Sequence, residues 1–142
     1  MKIHDIIINH SGDDTTWENV DPNDAWALDK LVLAKKLGYK RISVIEYGVG
    51  QGSGLLSLEE YTEEIKKIFG IEIDIYGFDS GQGLPKPVDY RDLPYHWKEG
   101  FFSMNENKLK QKLKKAKLII GDIQSTSKDF FLKNNPAPIG AM

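Results

Sequence analysis

Cysteine is absent from all 142 residues. That excludes disulfide bonds, thiolate catalysis and cysteine-ligated zinc, and it removes any reason to place the chain in an oxidising compartment. A cytoplasmic setting is the expectation. No apolar run approaches the roughly 18 residues of a membrane span, and Ile6-Ile7-Ile8 near the N-terminus is too short for a signal sequence. No membrane contact is expected. Charge excess is missing as well: 19 Lys+Arg stand against 21 Asp+Glu, a formal net charge of -2. Nucleic acid is therefore not an expected partner, because phosphate binding leaves a basic footprint. The lysines at 108, 110, 112, 114, 115 and 117 read as one solvated helix face.

Two phosphate-binding signatures are also lacking. A dinucleotide fingerprint needs glycine at relative positions one, three and six. Counting from Gly48 the sixth residue is Ser53, and from Gly50 it is Leu55. The same glycine run lacks the Gly-Lys-Ser/Thr ending of a P-loop. A NAD-dependent oxidoreductase is accordingly the third-ranked reading.

With 40% hydrophobic residues, the length suits a single domain burying roughly 68–70% of its unfolded surface. Residues 1–20 read as a polar leader anchored by Trp17, 21–125 as the core, and 126–142 as the approach to a further strand. Asp21-Pro22-Asn23-Asp24 supplies an N-cap, a proline at the first helical position and early acidic charge. The helix this predicts runs to about Leu37, with Ala27, Leu28, Leu31, Val32, Ala34 and Leu37 on its apolar face and Gly38 as its stop.

Arg41–Tyr47 is short, β-branched and apolar, as a parallel strand buried on both faces should be. Leu55–Phe69 carries helical spacing in Leu55, Leu58, Ile65, Ile68 and Phe69, and Gly70 closes it. Ile71–Asp79 is a second strand, so strand, crossover helix and strand form a βαβ unit. Residues 80–103 make a long connection rich in glycine, proline and aromatics, of the kind that is usually functional. Ser103-Met104-Asn105-Glu106 fits a capping box before a helix carrying Leu109 and Leu113. A third strand, Lys117–Asp122, follows.

These three strands end on Glu46, Asp79 and Asp122, and ligands of open parallel sheets bind at the carboxyl ends of the strands. Between the first strand and its helix lie Gly48, Gly50, Gly52 and Gly54. Glycines there let the chain turn tightly and let a ligand approach main-chain N–H groups that a Cβ would shield. Three rim acids and a glycine loop point to a nucleotide-like cofactor, and a cofactor without phosphate would tolerate a loop that lacks the phosphate-binding spacing.

Glu46-Tyr47-Gly48-Val49-Gly50-Gln51-Gly52 resembles the first motif of class I S-adenosylmethionine-dependent methyltransferases. Asp79 and Gly121-Asp122 match the later motifs, and Tyr76 through Pro85 is similar to the macrocin O-methyltransferase branch. The resemblance spans about residues 40–125. It implies a Rossmann-like α/β fold, a parallel sheet with flanking helices, and S-adenosylmethionine as cofactor. By the same resemblance Glu46, Gly48, Val49, Gly50 and Gly52 surround the methionine end of the cofactor, Asp79 and Ser80 meet the ribose, and Asp122 with Ile123 borders the adenine. A charge-assisted bond of about 1.5–3 kcal/mol makes Asp79 worth about ten- to a hundredfold in affinity.

The family's sheet continues beyond what three strands provide, so the sequence reads as truncated after the third core strand, as its cofactor-binding half. An open edge at the first strand would invite self-association into a homo-oligomer. The resemblance implies methyl transfer to a small-molecule acceptor, such as a hydroxyl, but carries over no catalytic residue and no metal ligand. A non-catalytic cofactor-binding or interaction module is the alternative. The aromatic loop 90–102 could act as a lid with His96 as acid or base, although packing of its aromatics on the sheet is the more common outcome.

Overall fold

The computed structural model describes residues 31–142. The leader, Trp17 and the start of the first helix lie outside these residues. The chain is helical over 31–36. Tyr39 N–H then donates to Ala34 C=O and Gly38 N–H to Lys35 C=O, both at 3.0 Å. With Gly38 at φ 80°, this pair of bonds is a Schellman motif, the stop expected of that glycine. Leu31 and Ala34 are buried, but Leu37 is 63% exposed. Its assignment to the apolar face is corrected, because the chain has already turned away from the core there.

Strand β1 (Arg41–Tyr47) leads through the glycine loop into helix α1 (Ser53–Phe69), and β2 (Glu72–Asp79) follows. A single 3₁₀ turn (Tyr90–Asp92) interrupts the long connection to α2 (Glu106–Lys112) and β3 (Lys117–Ile120). Two short helices, α3 (Ile123–Thr126) and α4 (Phe130–Asn134), precede β4 (Ile139–Ala141). All pairings are parallel, in the order β3-β2-β1-β4. This is an α/β fold with helices flanking a parallel sheet. The strand order reverses at β1, which makes the β1/β4 boundary a topological switch point.

Two sequence expectations change here. The sheet does not stop after three strands, since Ile139 pairs with Ser43 and Ala141 with Val44. Ser43 N–H also donates to Pro138 C=O at 2.8 Å. Consequently β1 is an interior strand at Ser43 and Val44, and the edge invoked for self-association is paired over those two residues. A three-residue strand has too short a pattern to show alternation, whereas a partner already in place holds it.

Period-two alternation sorts the core. On one face Val49, Leu55, Ile75 and Leu109 form a buried cluster, joined nearer the strand starts by Leu31, Ala34, Ile42, Ile65 and Ile71. On the other, Ile45, Tyr76 and Phe78 pack against Phe130 of α4. Leu55, fully buried, fixes α1 on the sheet. It leans over Gly77, where an added Cβ would lie 2.6 Å from Leu55 Cδ1. Truncating such a leucine to alanine costs about 2–5 kcal/mol.

One buried acid holds two distant elements together. Glu59 of α1 accepts backbone N–H bonds from Lys114, Lys115 and Ala116 at 2.6–3.0 Å. Burial alone would raise its carboxyl, but the N–H groups of Ala116, Lys115 and Lys114 outweigh that and hold it below the usual carboxylate range. The connection between α2 and β3 is thereby fastened to α1.

Candidate functional site

The loops after β1, β2 and β3 converge on Asp79. Its carboxylate accepts from Gly50 N–H at 2.9 Å and Gly81 N–H at 2.7 Å, and its backbone carbonyl accepts from Gly121 N–H at 2.9 Å. One residue thus ties three loops, each through a glycine with positive φ, at 54°, 75° and 140°. The glycine loop is set further by Gly48 N–H donating to Phe78 C=O and Gly52 N–H to Val49 C=O, both at 2.9 Å.

Above these loop ends opens a cleft of about 1230 Å³, lined from the strands by Tyr47, Phe78 and Asp79 and from the loops by Gly48, Gly50, Ser80, Gly121, Asp122 and Ile123. Its far wall belongs to the long connection: Gln82, Gly83, Leu84, Pro85, Glu99 and Phe102. A smaller cavity of about 280 Å³ lies along β2, bordered by Lys66, Glu72, Asp74, Lys115 and Lys117. Its charges are largely spent on one another or on neighbours, as in Lys66–Glu72 at 2.7 Å and Arg41–Asp74 at 2.8 Å. The strand-end cleft, with main chain exposed at Gly48 and rim carboxylates that form no ion pair among the described residues, is the better ligand site.

Six of the nine residues singled out from sequence line this cleft: Gly48, Gly50, Asp79, Ser80, Asp122 and Ile123. The other three stand behind it. Val49 is a core residue beside Leu55. Gly52 begins α1 at φ 86°, and a Cβ there would strike Leu109 Cδ1 at 2.2 Å. Glu46 faces the first turn of α1, where an added Cβ on Gly54 would lie 2.4 Å from its Oε1. Its Oε2 is buried and has no hydrogen-bond partner among the described residues. Burial raises the Glu46 carboxyl above its ordinary value.

Asp122 is not a strand end. β3 stops at Ile120, and Asp122 N-caps α3, its Oδ2 accepting from the Ser125 N–H and hydroxyl at 3.0 Å each. Asp122 thus serves as a helix cap as well as a cleft residue, and its Oδ1 takes part in neither of these bonds.

The long connection is built rather than loose. Leu84 N–H donates to Phe101 C=O at 2.8 Å and Gly100 N–H returns to Leu84 C=O at 2.9 Å, closing the neck. Gly83, at φ 84°, passes so close that a Cβ would meet Phe101 C=O at 2.4 Å. Within the loop Asp89 and Asp92 form a capping box around the 3₁₀ turn. Beyond the neck the chain returns to the glycine loop, where Gln51 Nε2 donates to Ser103 C=O. Asn105, not Ser103, caps α2, by accepting from Lys108 N–H. His96 stacks edge-on against Trp97, 4.6 Å between centroids, and does not line the cleft. The geometry gives it no acid or base role there.

The site residues named from sequence omit Tyr47, Phe78, Gln82, Gly83, Leu84, Pro85, Glu99 and Phe102, although Glu99 and Phe102 belong to the 90–102 loop read there as a lid. Tyr47 and Phe78 were legible as the last two residues before the strand-end turns. The others meet only because the neck folds 84 against 100–101. Among the described residues no helix is long and apolar enough to cross a membrane, and no group of three or more His, Cys, Asp or Glu could hold a metal ion. No protein-family model, no curated protein and no solved structure matches this chain.

Proposed function

We propose that this chain is the cofactor-binding part of a Rossmann-like methyltransferase that takes S-adenosylmethionine and transfers its methyl group to a small-molecule acceptor. The observation that carries the reading is the convergence of the three strand-end loops on Asp79 beneath one cleft. The residues suit the cofactor chemically. Gly48 leaves main chain open to a ligand, with nothing within 4 Å of an added Cβ. Asp79 spends one lone pair of each oxygen on Gly50 and Gly81, so each oxygen retains acceptor capacity for a sugar hydroxyl. Asp122 and the half-exposed Ile123 offer a polar and an apolar edge to a purine.

When bound, the cofactor would supply an electrophilic methyl on a sulfonium. The protein's part is to hold cofactor and acceptor in line and to keep water out, so positioning supplies much of the rate. Carboxylates and the absence of a phosphate-binding glycine spacing favour this cationic, phosphate-free cofactor over a dinucleotide. Calorimetric titration with S-adenosylhomocysteine, with NADH as control, tests the reading. Saturable binding of the first alone is expected; binding of NADH alone would overturn it.

A further inference from the structure

The cleft wall opposite the glycine loop has a composition that selects by charge. Leu84, Pro85 and Phe102 present apolar surface across from Tyr47 and Phe78, whose rings lie 5.4 Å apart. Among the described residues no Lys, Arg or His lines the cleft, while Asp79, Asp122 and Glu99 do. Two of these acids have defined internal duties: Asp79 takes the Gly50 and Gly81 amides, and Asp122 caps α3. Glu99 differs. It sits just before the neck residues Gly100 and Phe101, is exposed, and forms no ion pair among the described residues.

The wall is held in shape independently of any ligand. The Leu84–Phe101 and Gly100–Leu84 bonds close the neck, and the tight approach of Gly83 to Phe101 leaves no room for slippage. Phe102 packs on Trp97, with centroids 5.5 Å apart. Its φ of 64°, unusual for a phenylalanine, holds the chain in the turn that brings it from the neck back to the glycine loop. An apolar surface flanked by a free carboxylate suits an amphipathic cation: the apolar body displaces water from the wall, and the charge is matched rather than repelled.

We propose that this wall is the acceptor subsite, that its ligand is an apolar molecule bearing a protonated amine and no phosphate or carboxylate, and that Glu99 determines the preference. The assignment of the ligand as a methyl acceptor rests on the methyltransferase reading, whereas the charge selectivity does not.

Three probes with one ring and different head groups test it: phenethylamine, phenethyl alcohol and phenethyl phosphate, followed by ¹H–¹⁵N spectra of the whole chain. The amine should shift the Gly100 and Phe102 amides saturably and bind about tenfold more tightly than the phosphate at low salt, a preference that added salt reduces. Glu99→Gln should bring the amine close to the alcohol while leaving the alcohol's affinity unchanged, and Glu99→Lys should reverse the order of amine and phosphate. Equal binding of all three, saturation elsewhere on the surface, or no saturable shift at the wall would each overturn the proposal. A parallel titration with S-adenosylhomocysteine separates the two claims: its failure beside amine-selective binding removes the cofactor reading and leaves the subsite standing.

Discussion

Gly50 N–H donates to the Asp79 carboxylate at 2.9 Å across 29 residues of sequence, joining the turn after β1 to the end of β2. The contact gives Asp79 a structural duty alongside any ligand duty. Asp79→Ala should destabilise the ligand-free chain by about 3 kcal/mol, the scale of losing charge-assisted hydrogen bonds to two backbone amides. Asp79→Asn keeps one acceptor oxygen but turns an amide N–H₂ toward the second glycine N–H, so it should lose at least half as much. Urea unfolding of both variants checks the order. Equal stability of wild type and Asp79→Ala would show that the loops hold without it.

Glu46 should behave in the opposite sense. Its carboxyl is raised by burial and its Oε2 lacks a hydrogen-bond partner among the described residues. A raised folded-state value means that stability is lost as pH climbs from the unfolded carboxyl's range, about 4.3, through the folded value. Glu46→Gln should therefore stabilise the ligand-free chain by about 1 kcal/mol at neutral pH, the scale of removing one partly buried charge while keeping the side chain's shape, and the gain should vanish at pH 3–4. Thermal unfolding of both proteins across that range measures it. A stabilising change at a site is the mark of a group kept for function rather than for folding.

Glu59 carries the reverse pH signature. Its folded-state value is lowered by the Ala116, Lys115 and Lys114 amides against the opposing effect of burial. The contribution is present above the unfolded value and is lost as pH falls through the folded one. Glu59→Gln, which sets an amide N–H₂ among three backbone donors, should cost about 1–3 kcal/mol at pH 7, with the difference shrinking below pH 4. A constant difference down to pH 2 would contradict the assignment.

Gly83→Ala probes the neck. The position has φ 84°, and its Cβ would lie 2.4 Å from Phe101 C=O and 2.7 Å from Gly100 C=O. Backbone atoms cannot swing aside as a side-chain tip can. The variant should open the Leu84–Phe101 pairing, seen as faster amide exchange at Leu84 and Gly100 and as new protease cleavage within 84–101, while core amides such as Ile75 keep their protection.

What the sequence disclosed follows from which interactions are local. β1 was legible residue for residue, because a β-branched run between Gly38 and the glycine loop has no competing period. α1 and β2 were legible to within two residues at their ends. The β3 boundary overran, because apolar pattern cannot register the φ of 140° at Gly121, although the Asp122-to-Ser125 spacing was an available cap signal. The role of Glu59 has no local signal, because its partners lie 55–57 residues away. The far wall of the cleft was hidden for the same reason: Glu99 and Phe102 reach it through a neck that no periodicity encodes.

The most direct test of the central claim follows the glycine amides themselves. In ¹H–¹⁵N spectra of the whole chain titrated with S-adenosylhomocysteine, the amides of Gly48, Gly50, Gly81 and Gly121 should shift together with one saturation curve, while Gly38 and Gly70, at the far ends of their helices, stay still. A folded chain whose four loop glycines do not respond, or respond only to NADH, would contradict the account.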